Sequence, residues 1–316
     1  MMSFKGYDWH SFLPDPRIGL RAALLPLLLL ITSSALAENT QPWLTLPPTP
    51  TLPQSEQQGY IDSNHSRIWY SEFGEGQPVV LLHGGFANAD YFGNLIRTLA
   101  THYRVIAIDS RGQGRSDLGS EALTYTLMES DIIHVMDHLN IQKAVVIGWS
   151  DGAILGLKLA IDHPDRLTRV FAFAANTRPN AIKDTSKSAV FNEFLKRTQQ
   201  EYKNLSPTPH SFPALRNAIT RMWRTQPDIT QAQLMSIQTP VWIVDGQYDE
   251  AVQRQNQVLM AQTIPAATLL IIPNTSHFAF LQNPPLFDCY VLAFLAEKLP
   301  ATCTPKTQAS ATEAPQ

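Results

Sequence analysis

Short apolar runs separated by longer amphipathic stretches organise this chain from residue 67 to residue 298. Residues 67–73 alternate partially, and residues 79–82, 105–108, 144–147, 170–173, 241–244 and 268–272 follow as further strand candidates. Several are apolar throughout, the pattern of parallel strands covered by helices on both faces. Residues 91–100 read as a helix. Thr126-x-x-Glu129 reads as a capping box opening another, with Leu127, Ile132, Ile133, Met136 and Leu139 on its apolar face. Residues 287–298 read as a last helix against the core. Strand and helix alternating in this order predict an α/β fold with a doubly wound, mostly parallel sheet.

The alternation breaks between residues 177 and 238. That stretch holds no buried strand but carries helical patterns (Val190, Phe191, Phe194, Leu195; then Leu215, Ile219, Met222, Trp223) around a Pro-rich loop at 206–213. Inserted between two strands on the side where strand C-termini project, it predicts a helical cap over that edge. Residues 38–58, with Pro42, Pro47, Pro48, Pro50 and Pro53, read as an extended linker. The folded domain is therefore expected over 59–300, followed by a flexible tail at 301–316.

Composition narrows the class. The chain has 316 residues, 44% of them apolar, and a net charge of −3 without a basic block, which gives nucleic-acid binding no support. No apolar run reaches the length of an ordinary spanning helix. Near the N-terminus, Arg17 and Arg21 precede the apolar run 22–31, and Ala35-Leu36-Ala37 follows. This reads as a signal peptide over 1–37, cut after Ala37, with export to the periplasm or exterior and no stable membrane association afterwards. An uncleaved tether is the alternative, since the region before the apolar run is long. Cys289 and Cys303 either pair, pinning the tail to the last helix, or stay as two thiols if export fails. Sequons stand at Asn64, Asn204 and Asn274.

The chemistry centres on Gly148-Trp149-Ser150-Asp151-Gly152, directly after the apolar run at 144–147 and before a helix-forming stretch. Strand, Gly-x-Ser-x-Gly and helix make a nucleophile elbow, which exposes the serine hydroxyl at a sharp turn. A serine needs a base, and the base an orienting acid. Asp249 follows the strand at 241–244 and His277 follows the strand ending at 272, so both share the edge on which Ser150 sits. Asp245 reads as a turn cap and Glu250 as solvent-facing. The other place for an acid, after the strand at 170–173, holds Asn176, whose amide cannot support an imidazolium by charge. His134, His138 and His163 read as surface or packing residues. An oxyanion needs two N–H donors, and Gly85, in His83-Gly84-Gly85-Phe86, pairs with Asp151 for that role, with Phe86 as the alternative to Gly85. His83 reads as a brace for its loop. Phe86, Trp149, Asn176 and Trp223 are the candidates for the pocket wall.

Taken together, Leu-Leu-His83-Gly-Gly, Asp109-Ser-Arg111-Gly112-Gln-Gly114-Arg115-Ser116, Gly148-Trp-Ser150-Asp-Gly152, Asp245-Gly-Gln-Tyr-Asp249 and Ser276-His277-Phe278 resemble the α/β-hydrolase superfamily over about residues 60–300. The Trp-Ser-Asp-Gly elbow and Ala-Ala-Asn176 are most similar to its biphenyl-hydrolase-like and valacyclovir-hydrolase-like branch. The resemblance implies a serine hydrolase acting on carboxylic esters of small to medium molecules through an acyl-enzyme, without metal or organic cofactor. C–C bond hydrolases, lactonases and aminoacyl hydrolases share the motifs. Serine at 150 argues against dehalogenase and epoxide-hydrolase chemistry, and Phe86 in place of Pro-Gly argues against proline iminopeptidases. A hydrolase fold kept as a binding protein is the reading from another class, but no triad member is missing. Substrate charge is open. Asp151 favours an amine or simply suits a helix start, while nine Lys/Arg against four Asp/Glu over 177–238 favour an acid or simply face solvent.

Overall fold

Each of the seven apolar runs forms a strand, and an eighth, more polar strand precedes them. The structure, a computed structural model, describes residues 41–298 and Cys303. Strands β1 (Gln57–Ser63), β2 (Ser66–Phe73) and β3 (Gln77–Leu82) come first, then helix α1 (Gly93–Leu99) and β4 (Tyr103–Ile108). Helix α2 (Tyr125–His138), β5 (Ala144–Trp149), α3 (Asp151–Asp162) and β6 (Leu167–Phe173) complete the first half. Helices α4 (Ala189–Leu205), α5 (Phe212–Trp223) and α6 (Gln231–Ser236) lie between β6 and β7 (Val241–Gly246). The chain then runs through α7 (Arg254–Thr263), β8 (Ala267–Ile272), α8 (Ala279–Gln282) and α9 (Pro284–Leu295).

The sheet order is β1-β2-β4-β3-β5-β6-β7-β8. β2 pairs antiparallel with β1 and β4, and all pairs from β4 to β8 are parallel. Because strand side chains alternate, Val80, Leu82, Ile106 and Val146 enter one core layer with α2 and α3. Val79, Leu81, Val105 and Val145 enter the opposite layer with α1 and α9. Both faces are thus covered, which is why residues 79–82, 105–108, 144–147, 170–173 and 241–244 run without a polar side chain.

Three expectations change. The hairpin β1–β2 turns on Asn64 and His65, both at positive φ (46° and 58°), and the two-residue turn builds an antiparallel edge from a stretch too polar to signal a buried strand. The N-cap of α2 is Thr124, whose side chain accepts from Leu127 N–H, so the Thr126–Glu129 box does not form. Glu129 is buried instead, 3.4 Å from Lys158. Residues 42–53 open with a 3-10 turn (Pro42–Leu44), run on without regular structure and do not hang free as a linker. Arg197 of α4 donates to the Leu46 carbonyl, Arg97 of α1 donates to the Thr51 carbonyl, and Trp43 stacks on Tyr248 at 4.1 Å. Cys289 and Cys303 are disulfide-bonded. The signal-peptide reading of 1–37, and the tail of 301–316 apart from Cys303, fall outside the described residues.

Candidate active site

Ser150 stands between β5 and α3 with φ 54° and ψ −115°, a conformation costing about 1–3 kcal/mol for a residue with a side chain. Its N–H donates to the Phe173 carbonyl at 2.9 Å, and Asp151 opens α3 immediately after. Flanking glycines make the turn possible: a Cβ on Gly148 would strike the Gly152 carbonyl, and one on Gly152 would strike the Leu82 carbonyl. The elbow is therefore a steric solution as well as a motif.

Two other loops at the same sheet edge bring an acid and an imidazole together. Asp249, in the loop after β7, places Oδ2 2.8 Å from Nδ1 of His277, in the loop after β8. Oδ1 of Asp249 accepts from the N–H groups of Ala251 and Val252, both at 2.7 Å. Burial opposes the Asp249 charge, but the His277 charge and hydrogen bond, with further donors, hold its pKa down to about 2. Burial likewise opposes the imidazolium, yet the charge and hydrogen bond of Asp249 lift His277 above its ordinary value, helped by Glu250 and Asp151. With Nδ1 donating to the carboxylate, Nε2 is left as the basic nitrogen. Ser150 Oγ makes no hydrogen bond among the described residues, but it and His277 line one cavity of about 260 Å³.

Gln113 decides between the two N–H donors proposed from the loop after β3. Its buried amide oxygen accepts from Phe86 N–H at 2.5 Å, with Phe86 at φ 67°. The Phe86 donor is spent. Gly85 N–H and Asp151 N–H have no partner among the described residues. His83 braces the loop: Nδ1 donates to the Gly84 carbonyl at 2.8 Å and Nε2 accepts from Ser110 N–H at 2.9 Å. Burial lowers its pKa and keeps it neutral.

The cavity lies between sheet edge and cap. Asn176 and Trp223 line it, along with Phe191, Ile182 and Tyr125. Trp149 and Phe86 do not. Trp149 points away from the cavity into the aromatic layer, 4.7 Å from Phe280, because it is one residue before Ser150 on a strand whose sides alternate. Phe86 packs edge-on behind Trp223 at 5.3 Å. The Asp151 carboxylate accepts from Tyr125 OH at 2.8 Å and from Trp223 Nε1 at 3.0 Å, joining core to cap. Burial raises its pKa to about 6, against those two hydrogen bonds.

Two carboxyls differ from their sequence readings. Glu250 does not face solvent: it accepts from His277 N–H at 3.1 Å and so ties down that backbone. Asp245 does not cap a turn through its oxygens; its side chain is wholly buried and neither oxygen accepts a well-formed hydrogen bond. Sequence reasoning also passed over Gln113, although it stands inside the Asp109–Ser116 motif.

Residues 77–210 match the family model for the alpha/beta hydrolase fold. The chain is 27% identical over 270 residues to a 2-hydroxy-6-oxo-6-(2'-aminophenyl)hexa-2,4-dienoic acid hydrolase of Metapseudomonas resinovorans, covering 77% of this chain and 92% of that one. It is 24% identical over 261 residues to a pimeloyl-(acyl-carrier protein) methyl ester esterase of Nitrosospira multiformis, covering 72% and 97%. Among solved structures, the meta-cleavage product hydrolase of Pseudomonas fluorescens IP01 superposes with a TM-score of 0.65 at 20% identity, over 76% of this chain and 97% of that chain. That likeness speaks for the fold.

Proposed function

The chain belongs to the α/β-hydrolase superfamily and is a hydrolase, and on that premise we propose that it cleaves small, uncharged carboxylic esters with Ser150 as nucleophile. His277 Nε2 takes the Ser150 proton as Oγ attacks the acyl carbon. Asp249 orients the imidazole and supports its positive form. Gly85 N–H and Asp151 N–H bind the developing oxyanion. The protonated His277 then gives its proton to the leaving alkoxide. A water, deprotonated by the same nitrogen, attacks the acyl-serine, and His277 returns that proton to Ser150 Oγ as the acid leaves. These groups suffice for the chemistry without metal or organic cofactor. The observation that carries the reading is the 2.8 Å Asp249–His277 pair lining, through His277, the cavity that Ser150 also lines.

Substrate charge follows from the wall. Among the residues lining the cavity, only Asp151 and His277 carry charge, and no Lys or Arg is present. With His277 neutral, as it must be to accept the Ser150 proton, an anionic substrate would meet the Asp151 carboxylate with no Lys or Arg to offset it. This favours esters and lactones over C–C cleavage of dienoic acids, the reaction named for the Metapseudomonas relative. The basic residues of the cap stand outside this wall. Asp151 is already hydrogen-bonded to Tyr125 and Trp223, which makes it a core-to-cap latch before it is an amine receptor. We place the reaction outside the cytoplasm, a reading supported by the Cys289–Cys303 bridge.

The test is labelling with a fluorophosphonate, followed by peptide mapping, beside hydrolysis of p-nitrophenyl acetate and of a carboxylate-bearing analogue. Modification of Ser150, turnover of the neutral ester and loss of both in Ser150→Ala are expected. An unlabelled Ser150 with turnover intact in Ser150→Ala would sink the assignment, and faster turnover of the anionic ester would sink the substrate class.

A further inference from the structure

Three carboxyls cluster at the C-terminal end of β7 and in the loop beyond it, and only one of them touches the imidazole. We propose that Asp245 is a positioning residue: it holds a proton and donates it in a hydrogen bond to Asp249, fixing the carboxylate that orients His277. The inference rests on the serine-hydrolase reading above.

Asp245 is the penultimate residue of β7, paired in register with Ile271, and its side chain is fully buried. Asp249 N–H donates to the Gly246 carbonyl at 3.2 Å, a turn that folds Asp249 back onto the end of β7, and the two carboxyls interact there directly. Two carboxylates in contact inside a protein do not both stay ionised, so one proton is retained between them. The donors around the pair decide which keeps it. Asp249 receives Ala251 N–H, Val252 N–H and His277 Nδ1–H. Asp245 has only the Gly246 N–H and Arg254 near it, and neither makes a well-formed hydrogen bond to its oxygens.

Arg254 is the one group that argues for an ionised Asp245. Its Nη1 lies 2.8 Å from Asp245 Oδ2, yet Nη1 is not aligned as a donor, and Nη2 is spent on the Gly246 carbonyl at 2.6 Å. Arg254 is also partly exposed, so water shares its charge. Burial and the neighbouring Asp249 charge push Asp245 well above the ordinary carboxylate range, in the same sense as the donor count. The remaining ionisable neighbours, Glu250 and His277, face Asp249 and the His277 loop. The negative charge therefore sits on Asp249, and the proton on Asp245 is free to be donated.

The experiment compares Asp245→Asn, Asp245→Ala and Arg254→Gln, reading kcat and KM for p-nitrophenyl acetate against pH, fluorophosphonate labelling of Ser150 and the melting midpoint. An Asn NH2 replaces the donated O–H, so Asp245→Asn should keep at least about a third of kcat. Asp245→Ala should lose about 10- to 100-fold in kcat with KM little changed. Its acid limb should move to higher pH, because an Asp249 freed of one donor holds the His277 proton more tightly. Arg254→Gln should keep the parent pH profile. A drop of more than about tenfold in a folded Asp245→Asn overturns the proposal even if the Ala variant fails to fold. Equal loss in the Asn and Ala variants, or in Arg254→Gln, would mean that an ion pair or packing was lost instead, and no loss in any variant would mean that Asp245 is idle. Absence of Ser150 labelling and turnover in the parent protein would instead overturn the hydrolase reading, and this inference with it.

Discussion

Asp249→Asn isolates what the carboxylate does for His277, because the surrounding hydrogen bonds leave the amide one orientation. Oδ1 faces two N–H donors, Ala251 and Val252 at 2.7 Å. An NH2 group cannot stand there, so the amide oxygen must, and the NH2 then points at His277 Nδ1 from the position that Oδ2 holds at 2.8 Å. A donor at that place turns Nδ1 into an acceptor and moves the ring proton to Nε2, the nitrogen that has to accept the serine proton. The imidazolium also loses the Asp249 charge, its strongest support against burial. Together these should lower kcat about 10³- to 10⁴-fold, or about 4–5.5 kcal/mol in the barrier. Stability should fall as well. The folded pKa of Asp249 is depressed to about 2, so its contribution is present above the unfolded value and is lost as pH falls through about 2. At neutral pH the Asn variant forgoes about 2 kcal/mol of it. The assay is p-nitrophenyl acetate hydrolysis from about pH 5 to about pH 9, with melting curves in the same buffers. The parent should show an acid limb above the ordinary histidine value. An Asn variant that keeps more than about a tenth of kcat would refute the tautomer argument.

Other perturbations test the fold. Glu129 is buried with Oε1 unpartnered, and burial pushes its pKa to about 7 in spite of Lys158. A carboxyl raised on folding favours the native state while protonated, so stability should decline as pH rises from about 4.5 through about 7. Glu129→Gln should therefore raise the unfolding free energy at about pH 8, by up to about 2 kcal/mol after allowance for solvent and the lost Lys158 contact, and do little at about pH 5, read as the melting midpoint at each pH. Equal shifts at both pH values would contradict this. The disulfide closes a loop between positions 14 apart, so Cys303→Ser should cost up to about 3 kcal/mol in thermal unfolding. An unchanged midpoint on reduction would show that the bridge restrains nothing outside the tail.

The order of the seven apolar strands and the helices between them was legible along the chain, because short apolar runs alternating with amphipathic stretches read as strands covered on both faces, and Gly-x-Ser-x-Gly after such a run reads as a sharp turn at Ser150. The sequence also put Asp249 and His277 on the loops of the same sheet edge. It did not reveal β1, whose polar residues 57–59 sit at a sheet margin where burial leaves no signal. Tertiary structure decided direction and contact. Trp149 and Ser150 are neighbours in sequence, but strand alternation sends one into the aromatic layer and leaves the other at the cavity. Asp245, Asp249 and Glu250 are three carboxyls of nearly equal local chemistry. Only the approach of the His277 loop, from 28 positions beyond Asp249, gives one the imidazole and another the backbone N–H, and leaves Asp245 with neither. Periodicity records which side chains avoid water; which partner each finally meets depends on packing between segments distant along the chain, and no local pattern encodes that.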